Sequence, residues 1–521
     1  MVAKRLVSET FSVVDAAWLH MEKPHSMAMI TGVFLFDEAV DFQRFQETIK
    51  NRFIIHKRFR QRVRHPRLIG LPVWEPDPHF SLDAHLHRVA LPAPGDQSAL
   101  QDLVSDLMST QLDFSKPLWQ MHFVENYCEG TAVVVRLHHC IADGIALMRV
   151  LLSMTDAEPD AVWQPLAEEN RGDGWGAFDV LKPSLRTASS TLKLTETLVH
   201  EGMETLIHPS RFIDAALMGT SGTLALGKLL LIGPDSKTLF RGKCGVRRKA
   251  AWSNPIPLSE VKQVGCTMEA TINDVLLAAV TGGLRRYLAG RDQPVRGLNI
   301  RAMVPVNLRP ENSKEQFGNQ FGLIYLSLPV GIQDPIRRLA VLKSRMDEIK
   351  ESPEALVAFG ILNVIGMTTR QVESLLLKVF GMKATAVMTN VPGPRQTQYL
   401  AGKPLRGLVF WVPSPAELGM GVSIFSYAGE VILGVNTDAE MVADPENIIA
   451  AFHEEFESMK RWGLPEKEMT PTKKQPAQPR VAVSSNGRCH AMNKDGKPCR
   501  NLALPGSTVC YVHAKGKATV K

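Results

Sequence analysis

Two adjacent histidines close an apolar run at VVVRLHH, residues 133–139, and an aspartate and a glycine follow at 143 and 144. Histidine takes up and releases protons near neutral pH, so one at the end of a rigid strand is a natural general base. In extended backbone successive side chains alternate faces, so only one of His138 and His139 can meet a given cleft. Asp143, four residues after His139, can orient an imidazole, or turn away and hold the loop through an arginine. Gly144 permits a tight strand-to-helix turn or a close approach of substrate. A metal reading is weaker, because the pair sits at a predicted strand end with no third ligand nearby. A solitary His-x-x-x-Asp is common by chance, and a solitary buried histidine is usually structural. The double histidine followed by both Asp and Gly is far more specific. Cys140 adjoins the pair, but in extended backbone it points away from His139, which speaks against a cysteine nucleophile.

Such a group needs rigid elements behind it. MAMITGVFLF (27–36) predicts a strand, and TAVVVRL (131–137) a buried one that delivers the histidines. DFQRFQETIKNRF (41–53) carries apolar residues at helical spacing. DGIALMRVLLSM (143–154) predicts a helix with Ile145, Met148, Leu151 and Leu152 facing inward. TINDVLLAAVTGGLRRYL (271–288) predicts another, with Thr271 or Asn273 as its cap. LGMGVSIFSYAGEVILGVNTD (418–438) reads as two strands joined by an Ala-Gly turn. The chain thus divides into mixed helix and strand at 1–165, a long crossover with helices at 166–245, and mixed helix and strand again at 246–465. A polar, proline-containing linker at 466–487 leads to a short Cys/His tail at 488–515. Within the crossover, GTLALGKLLLIG (222–233) is the most apolar stretch, read as a helix packed on the body rather than one lying on a membrane.

At 521 residues the chain exceeds what one hydrophobic core usually organises, so two domains are expected. Its 45% hydrophobic and 22% charged residues exclude a disordered or fibrous chain. The net charge of +7 sits in the tail. Residues 466–521 hold 11 Lys or Arg against 3 Asp or Glu, leaving 49 basic and 50 acidic side chains elsewhere. No nucleic-acid partner is therefore expected for the body. One local exception is KNRFIIHKRFRQRVRHPR (50–67), with eight Lys or Arg and no acid. It reads as a solvated helix face, in preference to a contact for CoA phosphates or anionic headgroups. Seven cysteines without a paired framework point to a reducing compartment. The N-terminus lacks the apolar core of a signal peptide, and no run reaches the roughly 18 apolar residues of a membrane span.

HHxxxDG is the signature of CoA-dependent acyltransferases of the chloramphenicol-acetyltransferase-like fold, a superfamily that includes peptide-synthetase condensation domains. SVVDAAWLHMEKPHSMAM, LDFSKPLWQMHFVE, TINDVLLAAV, PVNLRPE and TNVPGP accompany it in order, over about residues 8–460. With them the chain resembles the bacterial bifunctional wax ester synthase/acyl-CoA:diacylglycerol acyltransferase family. The resemblance implies an α/β fold of two chloramphenicol-acetyltransferase-like mixed-sheet domains, with a tunnel across their interface. It implies His139 as the base that deprotonates a fatty alcohol or diacylglycerol hydroxyl, which then attacks acyl-CoA with no covalent acyl-enzyme. It gives weight to Asn273 and Asp274. Asn273 is an oxyanion donor or only a helix cap. Asp143 resembles the aspartate that shapes the loop through an arginine, for which Arg309 of PVNLRP is the choice, and Gly144 is structural. Pro117, Leu118 and Trp119 match the PLW element, with Trp119 expected in the core. Asn390 and Gly393 are structural or pocket-lining. No catalytic cofactor is implied, since acyl-CoA is a substrate. The implied location is cytoplasmic, at the periphery of the inner membrane or of lipid inclusions.

The tail departs from that family's pattern. Cys489, Cys499, Cys510 and His513 can form a closed tetrahedral zinc site, structural and remote from His139. The final Cys-x-x-His has suitable spacing, and the wider gaps before it are less typical. The tail's own partner, whether an anionic membrane, nucleic acid or protein, stays open. Two other functions compete: a condensation-type acyl or peptidyl transferase, and a non-catalytic lipid-surface scaffold. The absence of an adjacent carrier domain opposes the first, and the intact HHxxxDG and Asn-Asp pair the second.

Overall fold

The computed structural model describes residues 8–66, 70–159, 161, 231–308, 321–350, 358, 378–414, 418–463, 497 and 499. Met1–Leu464 forms one compact unit, and Pro465–Lys521 a second.

Local sequence explains the elements around the histidines. Gly130–His138 is a strand buried along its whole length, matching its β-branched run. It pairs antiparallel with Met29–Phe36 on one side and Trp119–Tyr127 on the other. Leu86–Ala90 adds in parallel beyond Trp119–Tyr127. The far edge is Gly407–Trp411, which comes from the other end of the chain and pairs antiparallel with Met29–Phe36. Among the described residues these five strands form one sheet.

The second sheet runs in the order Phe321–Leu328, Ile300–Asn307, Ala386–Pro392, Met420–Tyr427, Glu430–Asp438, Arg248–Trp252. Ala386–Pro392 lies parallel to both of its neighbours, and the other pairs are antiparallel. The hairpin turn is Ala428–Gly429, with φ of 48° and 85°. Positive φ at both central residues makes the turn twist with its strands, and the glycine adopts it without a Cβ penalty. Helices Leu258–Thr267, Ile272–Ala289, Pro335–Lys350 and Pro445–Gly463 cover one face through Leu277, Leu284, Leu342 and Phe452.

Among the described residues, helices form where 41–53, 143–154 and 271–288 predict them, and the apolar stretch 222–233 lies outside the described residues up to 230. Phe42–Thr48 starts at Asp41, and Gly144–Leu152 starts at Asp143. Met148, Leu151 and Leu152 are buried as expected. The basic stretch is not a helix face. It passes through a π turn at Ile49–Phe53, a short 3-10 turn at Lys57–Arg60 and the strand Gln61–Arg64. Most of its cations are paired: Arg52 with Asp156 at 2.9 Å, Lys57 and Arg58 with Glu9, and Arg62 and Arg64 with Glu75. Phe53 and Phe59 between them are fully buried. Arg52 and Arg58 are mostly buried and anchor the segment to the body, whereas Lys57 and Arg64 stay largely in solvent, as the solvated reading expects, though not on a helix.

The crossover up to residue 230, Arg309, the linker 466–487, Cys489, Cys510 and His513 lie outside the described residues. Cys499 is described and buried.

Candidate active site

The strand Gly130–His138 ends at the first histidine, and His139 and Cys140 form the turn that leaves it. The backbone N–H of His138 donates to Leu118 O at 3.0 Å, and that of His139 to Ala28 O at 2.8 Å. The two histidines are thereby held from opposite neighbours in the sheet. Both are buried, His138 at 1% and His139 at 5% exposure.

His138 serves the turn. Its Nδ1 accepts the N–H of Cys140 at 3.1 Å. An N–H can only donate, so the neutral ring carries its proton on Nε2. Nε2 faces Glu22 Oε2 at 3.5 Å, an electrostatic contact longer than a full hydrogen bond. The edge of Phe114 closes one side of the ring, with centroids 5.6 Å apart.

His139 sits in an aromatic box. Trp18 stacks on its ring, with centroids 4.0 Å apart and planes 21° apart. Phe321, the first residue of the second sheet's edge strand, lies 5.8 Å from the imidazole and 6.1 Å from Trp18. Elements of both sheets thus meet at this histidine. An apolar, water-poor surrounding strengthens any charge that develops there. Trp18 belongs to the SVVDAAW motif, yet its contact with His139 could not be foreseen. Its only local signal is an apolar position on a short helix, Val13–Met21.

Cys140 is fully buried, and burial pushes its thiol well above the usual range. A thiol held protonated is a poor nucleophile. This supports the reading that the cysteine does no chemistry.

Asp143 is buried and caps the following helix, accepting the N–H of Ala146 at 2.9 Å. A carboxylate at a helix N-terminus satisfies a free N–H and meets the positive end of the helix dipole. Gly144 is the first residue of that helix. Its φ is not positive, and among the described residues a Cβ built there would meet nothing within 4 Å. The turn therefore does not require glycine. What its small size does is leave space open beside the loop.

Asn273 and Asp274 divide the labour at the start of Ile272–Ala289. Thr271 is the cap: its Oγ1 accepts the N–H of Asp274 at 3.2 Å, and the Asp274 carboxylate accepts from Thr271 N and Oγ1 at 3.0 and 2.7 Å. This reciprocal box needs no help from Asn273, so the capping role is Thr271's. Asp274 is fully buried. Asn273 is held instead by Asn390 of TNVPGP, whose Nδ2 donates to Asn273 Oδ1 at 2.8 Å. With Oδ1 committed as acceptor, Asn273 keeps its Nδ2 hydrogens for another group.

Two other family-like positions are tightly packed. Trp119 is fully buried, and its indole N–H donates to Phe59 O at 2.8 Å. Gly393 lies so close to Phe425 and Ser426 that a Cβ there would meet them at 2.4 and 2.7 Å.

Against this geometry, a model of the wax ester synthase/diacylglycerol acyltransferase catalytic domain matches residues 11–276, and one of the WS/DGAT C-terminal domain matches residues 317–460. The chain belongs to the wax ester synthase/diacylglycerol acyltransferase family. It is an acyltransferase. A Mycobacterium tuberculosis protein named "Probable diacyglycerol O-acyltransferase tgs1" is 30% identical over 448 residues, 83% of this chain and 92% of that one. The solved wax ester synthase/diacylglycerol acyltransferase from Marinobacter aquaeolei VT8 superposes with a TM-score of 0.62 at 21% identity, over 87% of this chain and 99% of that one. The first condensation domain of the calcium-dependent antibiotic synthetase superposes with a TM-score of 0.56 at 13% identity, over 88% and 96%. At that identity the likeness is one of fold, and it places both solved proteins on the same mixed α/β architecture as this wax ester synthase/diacylglycerol acyltransferase family member.

Proposed function

We propose that the protein transfers a fatty acyl group from acyl-CoA to a long-chain alcohol or to diacylglycerol, making wax esters, triacylglycerol or both for storage. The observation that carries this reading is the placement of His139. It is a buried histidine at a strand end, stacked on Trp18 and met by Phe321 from the second sheet, in a member of this family. His139 takes the proton of the acceptor hydroxyl. The hydroxyl oxygen attacks the thioester carbonyl carbon, and the carbonyl oxygen becomes an oxyanion. The oxyanion collapses, the C–S bond breaks, and the CoA thiolate leaves with the proton from the imidazolium. No acyl-enzyme forms, in keeping with the buried, protonated Cys140. Asn273 Nδ2, aimed by Asn390, donates to the oxyanion. The aromatic box around His139 excludes water that would otherwise hydrolyse the thioester.

On this reading the two sheets are the cores of two chloramphenicol-acetyltransferase-like halves. The protein works at the periphery of a membrane or lipid inclusion, where its substrates reside. Among the described residues no helix is long and apolar enough to cross a membrane. Cys489, Cys499, Cys510 and His513, three thiolates and an imidazole, are a donor set that fits a structural zinc ion in the tail.

The test is CoA release by the purified protein with palmitoyl-CoA, comparing hexadecanol with dipalmitoylglycerol, alongside His139→Ala. Acceptor-dependent release that disappears in the variant supports the reading, and the ratio of acceptors names the product. Folded protein that releases no CoA with either acceptor sinks it.

A further inference from the structure

We propose that Glu22 is a positioning residue for the catalytic histidine, tying down the backbone on both sides of His139. The proposal rests on His139 as the general base.

Four contacts form a closed path. The Glu22 carboxylate accepts the N–H of Ala28 at 2.5 Å. The carbonyl of the same Ala28 accepts the N–H of His139 at 2.8 Å. On the other side, the N–H of Cys140 donates to His138 Nδ1 at 3.1 Å. His138 Nε2 returns to Glu22, at 3.5 Å from the oxygen that holds Ala28. The peptides before and after the His139 side chain therefore share one anchor.

Glu22 has a place in its own element that does not call for burial. It lies just past the helix Val13–Met21, where a solvent-facing polar residue would suffice. Instead its side chain is turned inward and only 8% exposed. Burying a carboxylate is costly unless charge and hydrogen bonds compensate. Here Ala28 N–H, Gln111 Nε2 at 3.3 Å on the second oxygen, the His138 ring, and the positive field of buried Arg136 supply that compensation. Such an arrangement is retained where it sets a geometry, and the geometry it sets is the turn that presents His139. The carboxylate also selects the His138 tautomer. A carboxylate accepts only, so it favours the proton on Nε2 and leaves Nδ1 as the acceptor Cys140 needs.

The decisive variant is Glu22→Gln. Its amide can still accept from Ala28, but it places no negative charge before His138 Nε2. The expected result is a kcat lower by about 10- to 100-fold, with KM for palmitoyl-CoA within about threefold and thermal stability close to the parent. A folded Glu22→Gln protein with kcat within about twofold of the parent overturns the proposal. Should the variant not fold, the unaltered protein decides. Nitrogen-15 histidine spectra showing His138 protonated on Nε2 support the tie, and protonation on Nδ1 overturns it. His139→Ala is run in parallel. If that variant keeps full activity, the reading of His139 as base fails, and the proposal with it. If it loses activity while Glu22→Gln does not, only the positioning role fails.

Discussion

Asn273→Ala and Thr271→Ala remove near neighbours from one helix start, and the structure gives them opposite consequences. Thr271 Oγ1 receives the Asp274 N–H and donates to the Asp274 carboxylate, which is fully buried. Losing both contacts costs about 1–2 kcal/mol of stability, the upper range of an N-cap loss. It should leave kcat unchanged within about twofold, since the Asn390 contact that holds the Asn273 amide stays in place. Asn273 is half-buried and holds one neutral hydrogen bond, from Asn390 at 2.8 Å. Its loss costs about 1 kcal/mol of stability. If Asn273 Nδ2 donates to the oxyanion, however, the loss in kcat is about 10²- to 10³-fold, or about 2.7–4 kcal/mol in the barrier. The two variants should therefore rank in opposite order by melting midpoint and by kcat. Asn390→Ala, which frees the Asn273 amide to rotate, should fall between, at about a tenfold loss. Steady-state CoA release with palmitoyl-CoA and a saturating acceptor reads the kinetics, and thermal unfolding reads the stability. An Asn273→Ala protein that is folded and within about threefold of the parent kcat refutes the oxyanion role and leaves Asn273 as packing.

Cys140→Ala should keep kcat within about twofold, and the parent should resist thiol alkylation at this site until it is denatured; a large loss of kcat in folded protein would restore the cysteine to the chemistry. Gly144→Ala should not lower the melting midpoint, because its backbone is ordinary and the space for a Cβ is open. A fall of about tenfold in kcat/KM in that variant would show substrate using the space, and full activity would show that it does not. Burial lowers the pKa of His56 to about 4 and of His122 to about 3, so the unfolded chain protonates first as pH falls. Their contribution to stability is fully present above about pH 6.5 and is lost as pH falls toward 4 and 3, with a slope near pH 5 of about 3 kcal/mol per pH unit at most. Urea unfolding at pH 7 and pH 5 measures it, and equal stabilities would mean that the two rings are hydrated. Metal analysis of the full chain should find one zinc ion, lost in Cys510→Ser while acyl transfer persists. Retained zinc in that variant would exclude Cys510 as a ligand.

The elements near the histidines were legible because their signals are local. The β-branched run, the Asp at a helix start and the Ala-Gly pair each act within a few residues, and strand, cap and turn appear where those residues stand. What the local signals leave open depends mostly on partners elsewhere along the chain. The basic stretch reads as a solvated helix face because its partners Glu9, Glu75 and Asp156 all lie outside it. Spacing leaves Asn273 open between cap and oxyanion donor, because it cannot pair Asn273 with Asn390, 117 residues later. Of the two readings of Gly144, a tight turn or a close approach of substrate, the backbone angle removes the need for glycine in the first and leaves the second. That Gly407–Trp411 would extend a sheet begun by Met29–Phe36 has no sequence signal, because edge pairing is chosen by packing after both strands exist.

Contacts also explain why motifs scattered over the chain occur together. SVVDAAWLHMEKPHSMAM supplies Trp18 to stack on His139, Glu22 to face His138, and Ala28 to hold the His139 backbone. The PLW element supplies the Leu118 carbonyl that receives the His138 N–H. Together with HHxxxDG these make one structural unit around one imidazole. TIND and TNVPGP make a second, in which Asn390 donates to the Asn273 amide oxygen at the start of the helix that Thr271 and Asp274 cap. A base and an oxyanion donor must each be held to within a fraction of an ångström to be effective. On the proposed mechanism, the Glu22 path and the Asn390 contact are two independent supports that would supply that precision. They also predict how failures should combine. Because Glu22 and Asn390 act on different groups, Glu22→Gln and Asn390→Ala should lower kcat multiplicatively. Glu22→Gln added to His139→Ala should lower it no further, since the group it positions is already gone.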